Sequence, residues 1–378
     1  MQLTARLGVL TVAIAGLAAA APARAGITDP PTGSTLFRVF NDSEGIAVRS
    51  TMGDCSFPMA KEYSLGLHLN NERVVIPGIS APVGSTEAID AITTASRPIS
   101  GNAYSDYVKV RNELKGSLDR PHAGVEYYYS TERDYLGQQL EAHMDRDFRD
   151  QQWNLALGTS YGWDAISPLP DDDTRTGKDH KDTWHWHAVG TEVLSPSTLL
   201  RLGLEYNIVN GLQGNPYRNV FAGGTYVPER HPSHRERRDA FLKLNQWFAN
   251  RSSLRLSYRL YQDDWGILSH EVGSQLSQYV VPGLYAAWDY RWYTQTAATF
   301  ARDAYLTTSG VDGFLTGDYR LKDLSSHLVG FSLDMDFGVM AADVPALRRT
   351  GLRLDWERYF NSNNYSANIL ETGLEFRF

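Results

Sequence analysis

Arg259, Tyr261 and Asp263 recur at steps of two in "RLYQDDWG", and Arg291, Tyr293 and Gln295 do so in "YRWYTQ". A step of two places side chains on one face of a strand. Each triplet therefore offers a guanidinium, a phenol and a hydrogen-bonding oxygen or amide to the same space. Such a set has no nucleophile. It can filter solutes by field and hydrogen bonding, as rings of polar groups do in a selectivity zone. It can equally tie loops to a wall, with Asp263 and Asp264 pairing to Arg259 or Arg291. No G-x-S-x-G, Walker loop or HExxH occurs elsewhere in the chain, so no motif calls for an enzyme or a cofactor.

Three other stretches carry ligating or charged groups. In "TWHWH", His185 and His187 share a face while Trp184 and Trp186 take the other; His180, Asp179 and Asp182 lie just upstream. Imidazole with carboxylate can hold zinc or copper, but spacing fixes no third ligand and no metal is assigned. "PDDDTRTGKDHKD" clusters Asp171, Asp172 and Asp173 without the spaced oxygens of a calcium loop, and reads as a solvated loop. "VPERHPSHRERR" gathers Arg230, Arg235, Arg237 and Arg238 with His231 and His234. Its ordinary reading is a loop that folds over a mouth and pairs with acidic walls; contact with lipopolysaccharide phosphates is the other.

The elements that must position these groups show period two throughout. In "SSLRLSYRLYQDDWG", Leu254, Leu256, Tyr258 and Leu260 oppose Arg255, Ser257, Arg259 and Tyr261. "TLLRLGLEYNIVN" and "LYAAWDYRWYTQ" repeat the pattern. Comparable segments lie near 35–41, 45–53, 61–73, 105–118, 122–131, 134–148, 152–165, 183–194, 237–249, 268–281, 324–338, 351–361 and 367–378. That gives about sixteen strands, or fourteen if the first pair does not form, each near the ~10 residues of a tilted membrane strand.

Connections alternate between short turns ("SLDRPH", "DFRDQQ", "LSPST", "FANRSS", "VVPG") and long polar segments at 74–104, 166–182, 210–236 and 300–323. A β-sandwich gives no reason for such alternation; a barrel with tight turns at one end and long loops at the other does. The second face carries Lys109, Arg111, Glu113, Lys115, Glu126, Glu141, Glu205, Arg255, Asp289, Arg353, Asp355 and Glu357, among others. A dry core cannot hold so many ions, so the interior is wet or laced with ion pairs. The fold expected is all-β, a transmembrane antiparallel β-barrel over 35–378.

The start of the chain fits that destination. Arg6 precedes an apolar run from Leu7 to Ala21 and then Ala23-Arg24-Ala25, the pattern of a cleaved secretory signal over 1–25, with 26–34 as a short periplasmic segment. Loss of Arg6 and Arg24 takes the formal charge from −8 to −10, which argues against nucleic acid as a partner. One cysteine, Cys55, allows no internal disulfide. Aromatics reach 12%, with 21 Tyr and 9 Trp, enough to supply girdles at two membrane interfaces. At the other terminus Leu370, Thr372, Leu374, Phe376 and Phe378 alternate with Glu371, Gly373, Glu375 and Arg377. The ending Gly373-x-x-Phe376-x-Phe378 resembles the C-terminal signal read by the outer-membrane barrel assembly machinery.

From residue 211 onward, "GLQGNPYRNV", "VPERHP", "RLYQDDWGILSH", "YRWYTQTAATF" and "GDYRLKDLSSH" resemble an uncharacterised bacterial family, the domain-of-unknown-function group numbered 3570, of predicted outer-membrane barrels. The resemblance implies a fold and a location and brings no activity. The expectation is a bacterial outer-membrane barrel, bathed in lipid and lipopolysaccharide, conducting small hydrophilic solutes. The alternative is a barrel plugged by loops that serves as a scaffold for a periplasmic or surface partner, a redox protein among the candidates. Whether 74–104 and 210–236 fold into the barrel separates the two.

Overall fold

A computed structural model of the protein describes residues 31–60, 62–77, 106–168, 177–345 and 347–377. The segment 1–25, most of the loop at 74–104, Asp171 to Asp173 and Phe378 lie outside the described residues, and with them the readings placed there.

The first strands are β1 Thr32–Asp42, β2 Ala47–Ala60, β3 Tyr63–Ile76, β4 Tyr107–Arg120, β5 Ala123–Thr131, β6 Tyr135–Phe148, β7 Trp153–Ile166, β8 Asp179–Ser195 and β9 Thr198–Gly211. A small hairpin follows, β10 Asn219–Ala222 and β11 Thr225–Pro228. Then come β12 His234–Trp247, β13 Ser252–Asp263, β14 Leu268–Val281, β15 Leu284–Gln295, β16 Leu324–Asp336, β17 Thr350–Asn361 and β18 Ser366–Arg377. All but β10 and β11 pair with their neighbours into one closed antiparallel barrel of 16 strands, shut by β1 against β18 from Thr32↔Arg377 to Asp42↔Ala367. The first pair forms, so the fallback count of fourteen is not needed. Closure leaves no edge strand, which is what a β-structure in hydrocarbon requires.

Register confirms the two faces. Leu140, Met144, Leu202 and Leu204 are 54%, 60%, 52% and 56% exposed, values no aqueous surface tolerates as a continuous belt and a lipid-facing wall does. Outward rings gather toward both rims. Near the loop-rich end Tyr161, Trp184, Trp186 and Tyr206 stack in series at centroid distances of 4.5, 5.7 and 5.8 Å. Trp247 and Tyr279 pair near the turn end at 6.2 Å. Amphipathic rings at both rims mark the two interfaces.

Charges line the other face as ion pairs between neighbouring strands. Lys115 on β4 meets Glu126 on β5 at 3.1 Å and Arg38 on β1 meets Glu371 on β18, while Arg353 meets Asp355 of its own strand at 2.7 Å. Two connections differ from expectation. β8 begins at Asp179, so His180 and Asp182 are strand residues rather than loop. At the end otherwise closed by tight turns, β16 and β17 are joined by a longer link over 337–349 with one helical turn, Phe337–Met340.

Candidate functional site: a capped lumen

The long connections over 212–233 and 296–323 pack on each other. Gly211 ends β9 at φ +105°, where a Cβ would sit 2.1 Å from the His180 carbonyl oxygen, so only glycine lets the chain leave the wall here. It then turns back through β10 and β11, joined by Gly223 and Gly224 at φ +59° and +83°, the positive pair of a tight type I′ hairpin. Backbone bridges Ala222↔Tyr305 and Arg230↔Leu315 stitch this hairpin to the second loop. Val220, Ala222, Tyr305 and Leu315 form a small apolar core between them.

A second cluster anchors the assembly to the wall. Trp265, Ile267, Ala298, Phe300, Ala301 and Leu321 are all buried together, with Tyr261 packed at their edge. On the far side Tyr217 donates to Asp134 at 2.6 Å in the β5–β6 connection. Asp134 belongs to a buried ion network in which Lys109 lies 2.7 Å from Glu132 and 3.3 Å from Asp134. The two loops thus form a lid across the mouth, fastened on both sides.

One carboxylate organises the lid. Glu229, whose side chain is fully enclosed, accepts from the Asn215 amide at 2.9 Å, and from the Thr316 hydroxyl and Gly317 amide at 3.0 Å each. Arg218 Nη1 lies 3.3 Å from one Glu229 oxygen and His231 Nε2 lies 3.3 Å from the other. Asp318 flanks the same guanidinium at 3.4 Å and takes a bidentate pair from Arg320. Burial would raise the Glu229 carboxyl, but the hydrogen bond from His231 and the charge of Arg218 outweigh it and hold the group down at about 2. Burial works against ionisation at Asp318 too, and Arg320 more than offsets it, so that pKa is also lowered.

Beneath the lid lies a cavity of about 480 Å³, lined from the wall by Arg235, Arg237, Arg259, Tyr261, Tyr293 and Gln295 and from the lid by Gln213, His231 and Arg320. Arg259 and Glu271 line both it and a second space of about 600 Å³ deeper in the lumen, where Arg255, Ser257, Asp289 and Arg291 face inward. A third, of about 530 Å³, lies toward the turn end among Ser34, Asp54, His68, Lys115 and Glu375.

Four of the six residues singled out by spacing, Arg259, Tyr261, Tyr293 and Gln295, therefore share one cavity, and Arg291 lies just below. Asp263, at the end of β13 on the same face, has a fully buried side chain. Its partner differs from expectation: it takes Arg235, at 2.9 and 2.5 Å, and not Arg259 or Arg291. Asp264 caps the Glu236 amide at 2.9 Å. The reason is register. Arg259 has Asp239 within diagonal reach on β12, at 2.5 Å, and Arg291 lies 3.7 Å from Glu271 on β14. Gln295 does tie a loop to the wall, donating to the carbonyls of Arg320 at 2.7 Å and Lys322 at 2.8 Å.

The other candidates are accounted for separately. His185 and His187 face the lumen with ring centres 5.5 Å apart and His185 Nε2 3.7 Å from Glu205. No group of three metal-ligating side chains occurs among the described residues. Gly373 and Phe376 lie on β18, inward and outward respectively, against Leu36 and Gly33 of β1. Of "VPERHPSHRERR", Arg235 and Arg237 turn inward, Arg230 donates to the Thr308 carbonyl at 2.6 Å within the lid, and Arg238 lies outside, 3.1 Å from Glu236.

Sequence reading missed Asp239, Arg218, Glu229, Asp318 and Arg320 as site residues. Asp239 was findable, since 235, 237 and 239 share a face of β12. The lid residues give no periodic signal, because irregular loops place them.

Residues 81–343 match the model of the family described as "Protein of unknown function (DUF3570)". Among curated proteins none matches in sequence. Among solved structures, a bacterial polysaccharide outer membrane secretin is similar over 92% of this chain and 98% of its own, at 8% identity and a TM-score of 0.49. Outer-membrane expressed OmpT of Vibrio cholerae covers 92% and 97%, at 8% identity and 0.45. The siderophore receptor PirA from Acinetobacter baumannii matches 89% of this chain and 53% of its own, at 10% identity and 0.44, so the chain spans about half that receptor.

Proposed function

The chain belongs to the DUF3570 family, whose function is unknown, and from that premise we propose a role read from the lumen itself: a lidded channel for small hydrophilic solutes in the bacterial outer membrane. The observation that carries this reading is the set of polar cavities within the barrel, one toward the turn end and two beneath the lid that meet at Arg259 and Glu271. A scaffold barrel has no need for open space lined with ionised groups, whereas a conduit does.

The lid sets the resting state. Fastened to the wall on both sides, it narrows the mouth, so conduction depends on its displacement. Replacing 219–228, the hairpin of the lid, with a short Gly-Ser turn is expected to raise single-channel conductance in planar bilayers severalfold over the parent. Equal conductance of parent and deletion, or no steps from either across a range of salts, would defeat the channel reading. Stoichiometric co-purification of a periplasmic or surface protein with non-conducting barrels would favour the scaffold.

A further inference from the structure

The cavity under the lid contains four guanidinium groups, and three are committed. Arg235 is held by Asp263 and lies over the Trp265 ring at 4.2 Å, Arg259 is held by Asp239, and Arg320 by Asp318. Arg237 is different. The carboxylate directly opposite it in register is Asp263, and Arg235 and the Tyr261 hydroxyl already occupy the Asp263 oxygen that faces them. Its other cross-strand neighbour is Asn207, which offers no charge. Arg237 Nε, withdrawn from solvent, has no acceptor.

A partly enclosed guanidinium with no ion pair of its own is a costly arrangement that an anion relieves, and its planar fork suits two oxygens of one carboxylate or phosphate. Tyr261 and Tyr293 line the same cavity with their hydroxyls donating to Asp263 and Gln295, so they shape the space and leave the uncommitted donors to Arg237. Of the carboxylates that line the cavity, Asp239 is held by Arg259 at 2.5 Å and Asp318 by Arg320 at 2.7 Å, while Glu271 lies 3.7 Å from Arg291, so each faces a cation other than Arg237.

We propose that this cavity is a binding site for a small oxyanion, a carboxylate- or phosphate-bearing solute, with Arg237 as its anchoring fork and the flanking aromatic rings as its walls. This deepens the channel reading by naming the class of solute that pauses beneath the lid. It places the site where a solute rising through the lumen meets the closed lid.

Binding is measurable without conductance, so the two ideas fail separately. Titration calorimetry on the purified barrel, with inorganic phosphate in one arm and succinate in the other, is expected to show saturable binding of at least one. Arg237→Gln should weaken that binding tenfold or more, and Arg237→Lys, which keeps the charge but loses the fork, should fall between. Arg238→Gln, altering the adjacent guanidinium on the lipid side of the same strand, should match the parent. Heat-modifiable migration checks that each variant is folded. The arm that binds tells carboxylate from phosphate. Absence of saturable binding in both arms, or equal binding by the parent, Arg237→Gln and Arg237→Lys, overturns the site while leaving the channel reading intact.

Discussion

Glu229→Gln should open the lid. The substitution keeps the shape and removes the charge that Arg218 and His231 face, leaving Arg218 with Asp318 alone at 3.4 Å. Breaking one partner out of a buried ion cluster costs about 3–5 kcal/mol, and the cost falls on two loops whose own apolar core is small, four buried side chains with Val227 and Val311 packed against them. The variant is expected to show larger single-channel conductance than the parent and faster tryptic cleavage at Arg218 and Arg230. Acid should act in the same direction on the parent. A carboxyl held at about 2 against an ordinary 4.5 contributes stability that is fully present above pH ~4.5 and is lost as pH falls toward 2. That shift corresponds to on the order of 3 kcal/mol, and Asp318, shifted the same way, adds to it. Conductance of the parent should therefore rise over that window, and Glu229→Gln should show a smaller rise because it is already open. Identical conductance and cleavage in parent and variant at neutral pH would refute the role given to Glu229.

The outer wall predicts an effect of similar size. Leu204, midway along β9 and 56% exposed, points into hydrocarbon between Ala188 and Ala240 on the flanking strands. Leu204→Arg places a charge near the bilayer midplane at a cost of ~2–4 kcal/mol. Folded yield into lipid vesicles, read by heat-modifiable migration and urea midpoint, should fall sharply. Leu204→Phe should fold like the parent. If Leu204→Arg assembled with undiminished yield and stability, this face would not be in lipid.

The barrel was legible in the sequence because each strand has only two environments. Lipid on one side and water on the other impose period two, so the alternation of Leu254, Leu256, Tyr258 and Leu260 with Arg255, Ser257, Arg259 and Tyr261 fixes both strand and facing. Strand count, loop asymmetry and the inward charges follow from that constraint. The lid obeys none of it. Arg218 and Glu229 meet because the β10–β11 hairpin pairs its two ends, whereas Asp318 joins them only because two loops pair through Ala222↔Tyr305 and Arg230↔Leu315, contacts no local period encodes. Partner choice inside the barrel was also hidden. Asp263 and Arg259 share a strand face, yet each pairs across to β12, because the long Arg235 side chain and the diagonal Asp239 reach them first. The stretches that carry the family resemblance fall largely in this assembly: "GNPYRNV" brings Arg218, "VPERHP" brings Glu229 and His231, "DDWGILSH" brings Trp265 and Ile267, and "GDYRLKD" brings Asp318 and Arg320. The sequence thus marked these residues without disclosing that they touch.

The central claim is that β13 separates lipid from water, and cysteine accessibility along that strand tests it most directly. In a Cys55→Ser background, Arg255→Cys, Leu256→Cys, Ser257→Cys and Tyr258→Cys would each be reconstituted into lipid vesicles and exposed to a membrane-impermeant maleimide. Positions 255 and 257, on the inward face with Arg259, should label, and 256 and 258, where Leu256 and Tyr258 are 45% and 41% exposed on the outer wall, should not. Equal labelling at all four, or labelling confined to 256 and 258, would contradict the account.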